Sequence, residues 1–259
     1  MVTIKSEREV ELMREAGLIL AKVHLELADM IKPGITTMDI DTKCEKLIRS
    51  FGCIPSFKNY DGFPASACVS VNDEVVHGIP SASRYIEEGD IVTIDTGVIW
   101  KGWQSDAART HAVGKIEPEI QELIDHTRES FFEGIKVATA GGRVNDIGKA
   151  IEDYISQFGY GIVEDLVGHG IGKNMHEDPE VPNYTCRNRG IKLQKNMTLA
   201  VEPMINLGTW MVNWSDDGWT VVTADGAPSA HYENTILITD GAPEVLSLTP
   251  EEKKLYNVR

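Results

Sequence analysis

Positive charge is in short supply in this chain: 25 Lys and Arg stand against 40 Asp and Glu in 259 residues, a formal charge of −15. That balance argues against electrostatic affinity for phosphate backbones or anionic lipid, so neither nucleic acid nor membrane is expected as a partner. Long apolar runs are missing as well. No stretch approaches the roughly 18 apolar residues of a membrane span, and residues 1–10 mix charges with single apolar positions. Cysteine is sparse: Cys44, Cys53, Cys68 and Cys186 form no CxxC pair. This disfavours a thiolate zinc site or a disulfide frame and suits a reducing compartment, so a cytoplasmic protein is expected. Low-complexity linkers are absent too, and residues 1–259 are expected to form a single domain with a large core.

Helical periodicity is clear. Val10, Met13, Gly17, Leu20, His24, Leu27 and Ile31 repeat at three-and-four spacing, Ser6 and Glu9 form a plausible capping box, and Pro33-Gly34 ends the helix. A shorter helix follows from about Thr37, with Ile40, Cys44, Leu47 and Ile48 inward, stopping at Gly52. The plan then recurs in a long helix over about 117–138, Gly141-Gly142, and a shorter helix over about 144–158. At an offset of 107, Asp39/Asp146, Ile40/Ile147, Glu45/Glu152, Ile48/Ile155, Phe51/Phe158 and Gly52/Gly159 are identical pairs. The same offset lays residues 88–95 on 195–202, an apolar strand closed by an acid in each case. His-Gly-Ile occurs at His77 and again at His169, at an offset of 92 that requires a gap. Two related halves around a pseudo-twofold axis follow. Strands are expected at 91–95, 98–100, 107–113, 197–201, 220–223 and 235–239, rich in β-branched residues, giving an α+β fold of antiparallel sheet with helices on the outer face.

Four carboxylates stand apart from the other acids. Asp95 and Glu202 end apolar strands, where an uncompensated charge would cost several kcal/mol. Asp106 and Glu233 begin returning β-rich segments, so a hairpin in each half would bring the second acid beside the first. At about 4 Å and an effective dielectric of about 20, each pair would repel by roughly 4 kcal/mol. Such a cluster is stable around cations, and four anions balance two divalent ions. His169, in Gly168-His169-Gly170-Ile171-Gly172, is the natural nitrogen ligand. Oxygen-rich ligation with one imidazole favours Mn, Fe or Co, with Zn and Ni as further candidates.

These residues, with His176 after the glycine-rich segment and Pro203 after Glu202, resemble the type I methionine aminopeptidases of the pita-bread fold. The similarity runs over nearly the whole chain, including Asn59-Tyr60-Asp61-Gly62-Phe63-Pro64, His77-Gly78-Ile79-Pro80 and Asp217-Gly218-Trp219-Thr220. The resemblance implies a metal-dependent exopeptidase that removes the initiator methionine from nascent chains with a small second residue. Carried over by position, Asp95, Asp106, His169, Glu202 and Glu233 hold two divalent cations. His77, His176 and Glu202 would be the catalytic side chains, with His77 and His176 touching substrate. Phe57, Tyr60, Phe63, Cys68, Met175, Met204 and Trp219 would build the first-residue pocket. The chain departs from many relatives at Met175, where they carry an aromatic, and at His231, where they carry Gln.

A proline-specific aminopeptidase of the same fold is the nearest rival, but it usually carries an additional amino-terminal domain, whereas Ser6 already opens the first catalytic helix here. A non-catalytic peptide-binding relative is the rival of another class; such proteins lose metal ligands, and this chain keeps all five. The short segment before Ser6 suits a bacterial-style short form, expected as a monomer with nascent polypeptides, and the ribosome that carries them, as partners.

Overall fold

The computed structural model describes residues 2–259. Four principal helices carry the duplicated plan: α1 (Glu7–Ala28), α2 (Thr37–Ser50), α3 (Pro118–Ile135) and α4 (Val144–Ile155), with a short α5 (Pro250–Leu255) near the end. Glu9 accepts the Ser6 N–H at 2.8 Å, as expected for the capping box. Asp39 does the same for Thr36, also at 2.8 Å, opening α2. Helix α1 ends three residues before Ile31 of the expected stripe, and Gly52 and Gly159, both at φ 76°, stand just past α2 and α4.

Each half builds its own core. Ala16, Leu20 and Leu27 of α1 and Ile40, Cys44 and Ile48 of α2 pack with Val69, Val92 and Ile94. Leu123 and Phe131 of α3 and Ile147 and Ile151 of α4 pack with Leu199, Val201 and Ile236. Side chains alternate along a strand. With Val92 and Ile94 turned to the helices, Asp95 points to the opposite face, and Leu199 and Val201 leave Glu202 in the same relation.

All strand pairing is antiparallel. Ile91–Trp100 lies between Trp103–Ala112 on one side and Ile54–Pro55 with Ala67–Val71 on the other. In the second half the order is Glu244–Val245, Asn234–Leu237, Thr198–Val201, Gly168–Gly170, Glu177–Val181. The expected strands 91–95 and 98–100 are one continuous strand here, so Asp95 lies mid-strand. Its counterpart is broken: Thr198–Val201 stops at Glu202-Pro203 and resumes at Met204–Asn206, because proline has no N–H to give a ladder.

The duplication is visible bond by bond. The isolated bridges Thr36↔Tyr85 and Arg143↔Lys192 are separated by 107 at both members. Gly34 N–H donates to Ile86 O at 2.8 Å, and Gly141 N–H to Leu193 O at 2.9 Å. Past the strands Ile91–Trp100 and Thr198–Val201 the offset becomes 125: Gly89 N–H meets Val113 O at 3.0 Å, and Asn196 N–H meets Ile238 O at 2.9 Å. Ala108 and Glu233, also 125 apart, bond each other's backbones across the axis, Glu233 N–H to Ala108 O at 3.0 Å and Ala108 N–H to Glu233 O at 3.4 Å. Glu233 is therefore the mate of Ala108, and the mate of Asp106 is His231. The two His-Gly-Ile triplets are not counterparts. His169 faces Ala200, while Thr93, the mate of Ala200, faces Ser70; His77 instead follows the strand Glu74–Val76.

Candidate active site

Asp95 pairs in register with Ala108 and Cys68, and Asp106 with Gly97 two positions further along Ile91–Trp100. Both acids therefore project from the same sheet face. Asp106 is fixed further by Thr235, whose Oγ1 bonds its backbone N–H at 2.9 Å and its C=O at 3.0 Å. His169 belongs to the strand Gly168–Gly170, not to a loop. Its Nδ1 lies 2.9 Å from Gly170 O. A carbonyl only accepts, so Nδ1 carries the proton and the Nε2 lone pair points inward. That Nε2 lies 3.7 Å from Glu202 Oε1 and 4.0 Å from Asp106 Oδ2. One oxygen or nitrogen each from Asp106, His169 and Glu233 falls within 4.8 Å of the others.

The electrostatics are those of a cation site. Burial drives the Asp95 carboxyl well above the usual carboxylate range, with Asp106 and Glu202 adding repulsion. Burial pushes Asp106 up to about 7 against the pull of the Ala107 N–H. Glu202 rises through burial and the Asp106 charge. Glu233 rises through burial and the other three acids, opposed by Arg109. His169 is pushed down to about 4, first by burial and then by His176. Among the described residues, Asp95 Oδ1 and Glu233 Oε1 are buried with no hydrogen-bond partner. The cluster is thus a set of acceptors, four carboxylates and one imidazole lone pair, with the Ala107 N–H donating to Asp106 Oδ1 at 3.0 Å, and it fits divalent cations.

Above this floor lies a cavity of about 290 Å³ that collects every side chain named from the sequence: Phe57, Tyr60, Phe63, Cys68, His77, Asp95, Asp106, His169, Met175, His176, Glu202, Met204, Trp219 and Glu233. Phe63 meets Trp219 edge to face at 5.2 Å between centroids, and Met175, Met204 and Cys68 are buried in its wall. Tyr60 OH lies 2.9 Å from His176 Nδ1, and the His176 ring meets that of His169 at 4.4 Å. His77 is held at φ 61°, an uncommon conformation for its type, with its ring 6.4 Å from Trp219. Trp219 arrives on the hairpin of Val212–Trp214 and Val221–Thr223, whose second strand pairs with Glu74–Val76.

Asp61, Val76, Leu166 and Val167 also line the cavity and were not assigned to it from the sequence, and His231, noted there only as a departure that bears on the pocket's shape, lines it too. His231 carried a signal, since it stands two residues before Glu233. The apolar three carried none, because a Val or Leu beside a site residue looks like any other core residue.

The profile of metallopeptidase family M24 matches residues 11–240. The chain belongs to that family. Within family M24 it is 53% identical to a methionine aminopeptidase of Clostridium acetobutylicum over 248 residues, 96% of this chain and 99% of the relative. The crystal structure of a methionine aminopeptidase from Thermotoga maritima superimposes with a TM-score of 0.94 at 41% identity, covering 96% of this chain and all of that one. An Xaa-Pro dipeptidase of the same fold from Bacillus anthracis matches less well, with a TM-score of 0.78 at 26% identity, and the chain covers 62% of it. The architecture is the pita-bread fold of the M24 metallopeptidases.

Proposed function

We propose that this chain is a methionine aminopeptidase that removes the N-terminal methionine from nascent proteins when the second residue is small. One observation carries the reading: acceptor atoms of Asp106, His169 and Glu233 converge within 4.8 Å of one another, and with Asp95 and Glu202 these residues line a cavity walled by sulfur and aromatic side chains. Methionine's thioether gains about 0.3 to 1.5 kcal/mol from each sulfur-to-ring contact, and Tyr60, Phe63 and Trp219 supply the rings.

The five ligands would hold two divalent cations, with Mn, Fe and Co the favoured metals. Bound there, the cations would lower the pKa of a coordinated water and polarise the scissile carbonyl. Glu202 would take a proton from the attacking water and deliver it to the leaving amine. His176 would donate to the developing oxyanion. Tyr60 suits it to that role, because a tyrosine O–H given to Nδ1 leaves the proton on Nε2, the nitrogen free to face the substrate. His77 would orient the peptide beside Trp219 and crowd the second residue. The chain would act as a cytoplasmic monomer on polypeptides emerging from the ribosome.

The experiment is cleavage of Met-Ala, Met-Lys, Leu-Ala, Met-Phe and Ala-Pro peptides at equal concentration. Met-Ala should be turned over well above the rest. Equal rates on the first four would make this a broad aminopeptidase, and preference for Ala-Pro would make it the proline-specific type.

A further inference from the structure

Arg109 lies on the strand Trp103–Ala112, next to Ala108, and faces the helix side of the sheet. Arg109 is 8% exposed, and its hydrogen bonds go to uncharged oxygens. Nη1 donates to Ala108 O at 2.8 Å and also to Glu233 O. Nη2 donates to Asn234 Oδ1 at 2.6 Å and to Ser247 O at 3.2 Å. The guanidinium lies over the Tyr232 ring at 4.5 Å. One planar fork therefore spans the consecutive residues Glu233 and Asn234, and Ser247 Oγ steadies the Asn234 amide from the other side at 2.9 Å.

This grip has a specific effect on Glu233. Its N–H is held by Ala108 O, its C=O by Arg109, and its side chain is left to point across the axis at Asp106 and His169. A buried guanidinium without an anionic partner is costly, and here its charge acts on the Glu233 carboxylate, whose backbone C=O it holds. We propose that Arg109 is a positioning residue for the cation site: its fork fixes the Glu233–Asn234 backbone, and so the direction of the Glu233 carboxylate, while its charge offsets part of the repulsion among the acids. The inference rests on the metal-site reading above. Lysine could supply the charge but not the planar fork.

The test is Mn²⁺ binding by titration calorimetry to the full chain stripped of metal, with circular dichroism to establish folding, and kcat and KM for a Met-Ala peptide at saturating Mn²⁺. Arg109→Met should lower Mn²⁺ affinity by about 10- to 100-fold, the scale of losing a group that orients a metal ligand. Arg109→Lys should recover part of that loss, and KM should stay within about twofold of wild type. Asn234→Ala removes the acceptor that sets the fork while leaving the charge. It should cost about 10-fold in affinity, and it carries the test if Arg109→Met does not fold. Wild-type affinity in folded Arg109→Lys and Asn234→Ala, with only a lower melting temperature, would overturn the proposal and leave Arg109 a packing residue. No Mn²⁺ binding by the wild-type chain would overturn the metal-site reading itself.

Discussion

Thr110 and Thr235 make the same pair of bonds on opposite sides of the pseudo-twofold axis. Thr110 Oγ1 holds the backbone N–H and C=O of His231 at 2.9 and 3.0 Å, and Thr235 Oγ1 holds those of Asp106 at 2.9 and 3.0 Å. Each hydroxyl acts as a two-pronged clip on the strand of the other half, and one of those clips carries a metal-ligand candidate. Thr235→Val keeps the shape and removes the clip. It should cost about 1 to 3 kcal/mol in stability, because two buried backbone groups lose their partner. It should also lower cation retention, seen as a smaller rise in melting temperature on adding Mn²⁺. Equal behaviour of Thr235→Val and wild type with and without Mn²⁺ would show that Asp106 is held by other contacts.

Removal of metal should abolish peptidase activity, and Mn, Fe or Co should restore it. The metal-free chain should also melt at a lower temperature at neutral pH, since Asp95, Asp106, Glu202 and Glu233 then face one another without a countercharge. Calorimetry of the same sample before and after reconstitution reads both effects. Full activity in a sample verified free of metal would refute the hydrolytic mechanism.

Glu202→Gln should lose far more turnover than substrate affinity, because the change removes the basicity of a group that acts in the transition state. His176→Ala should lower kcat by roughly 100-fold or more, the scale of losing one oxyanion donor. Tyr60→Phe removes the partner of His176 Nδ1 and should produce a smaller loss in kcat. A change confined to KM in Glu202→Gln would make that residue a ligand without a proton-carrying role.

Acid should weaken the fold through neutral histidines on the helix side of the sheet, the buried His24 and the half-buried His111. His111 is pushed down to about 4 by burial and then by Arg109, and His24 falls well below its usual value through burial, Arg109 and His111. For a folded pKa that is lowered in this way, the unfolded chain binds the proton first. Stability is therefore full above about pH 6.5 and falls progressively toward pH 4, by an amount on the order of 3 kcal/mol for His111. Urea unfolding of wild type and His111→Gln across that interval measures the difference. The variant should show the shallower decline, and identical slopes would remove His111 as the cause.

Much of the site was legible because its residues break local rules. An acid in an apolar strand, as at Asp95, or after one, as at Glu202, is conspicuous, and the 107-residue offset tied those two together. Asp106 and Glu233 were found as acids opening β-rich segments, but their relation to the axis was not. The offset grows to 125 where the second half carries the hairpin of Val212–Trp214 and Val221–Thr223, and a gapless comparison cannot cross such an insertion. His77, His176 and the pocket residues came from resemblance. They reach one cavity from several separate segments, and no periodicity links Phe57 to Trp219. His169 was legible as a nitrogen ligand but not as a strand residue, because glycines on both sides hide a three-residue strand.

The meeting of Ala108 with Glu233 has a consequence for how such a molecule came to have one reaction centre. Copying a segment ordinarily doubles whatever it carries, but two copies that join edge to edge at their own axis merge their inner walls into a single chamber. Every position on that axis then faces its own duplicate, so the chamber begins with no front or back. Direction comes from divergence between duplicates: Ala108 opposite Glu233, Arg109 opposite Asn234, and Asp106 related to His231. Those mismatched pairs give the chamber a polarity.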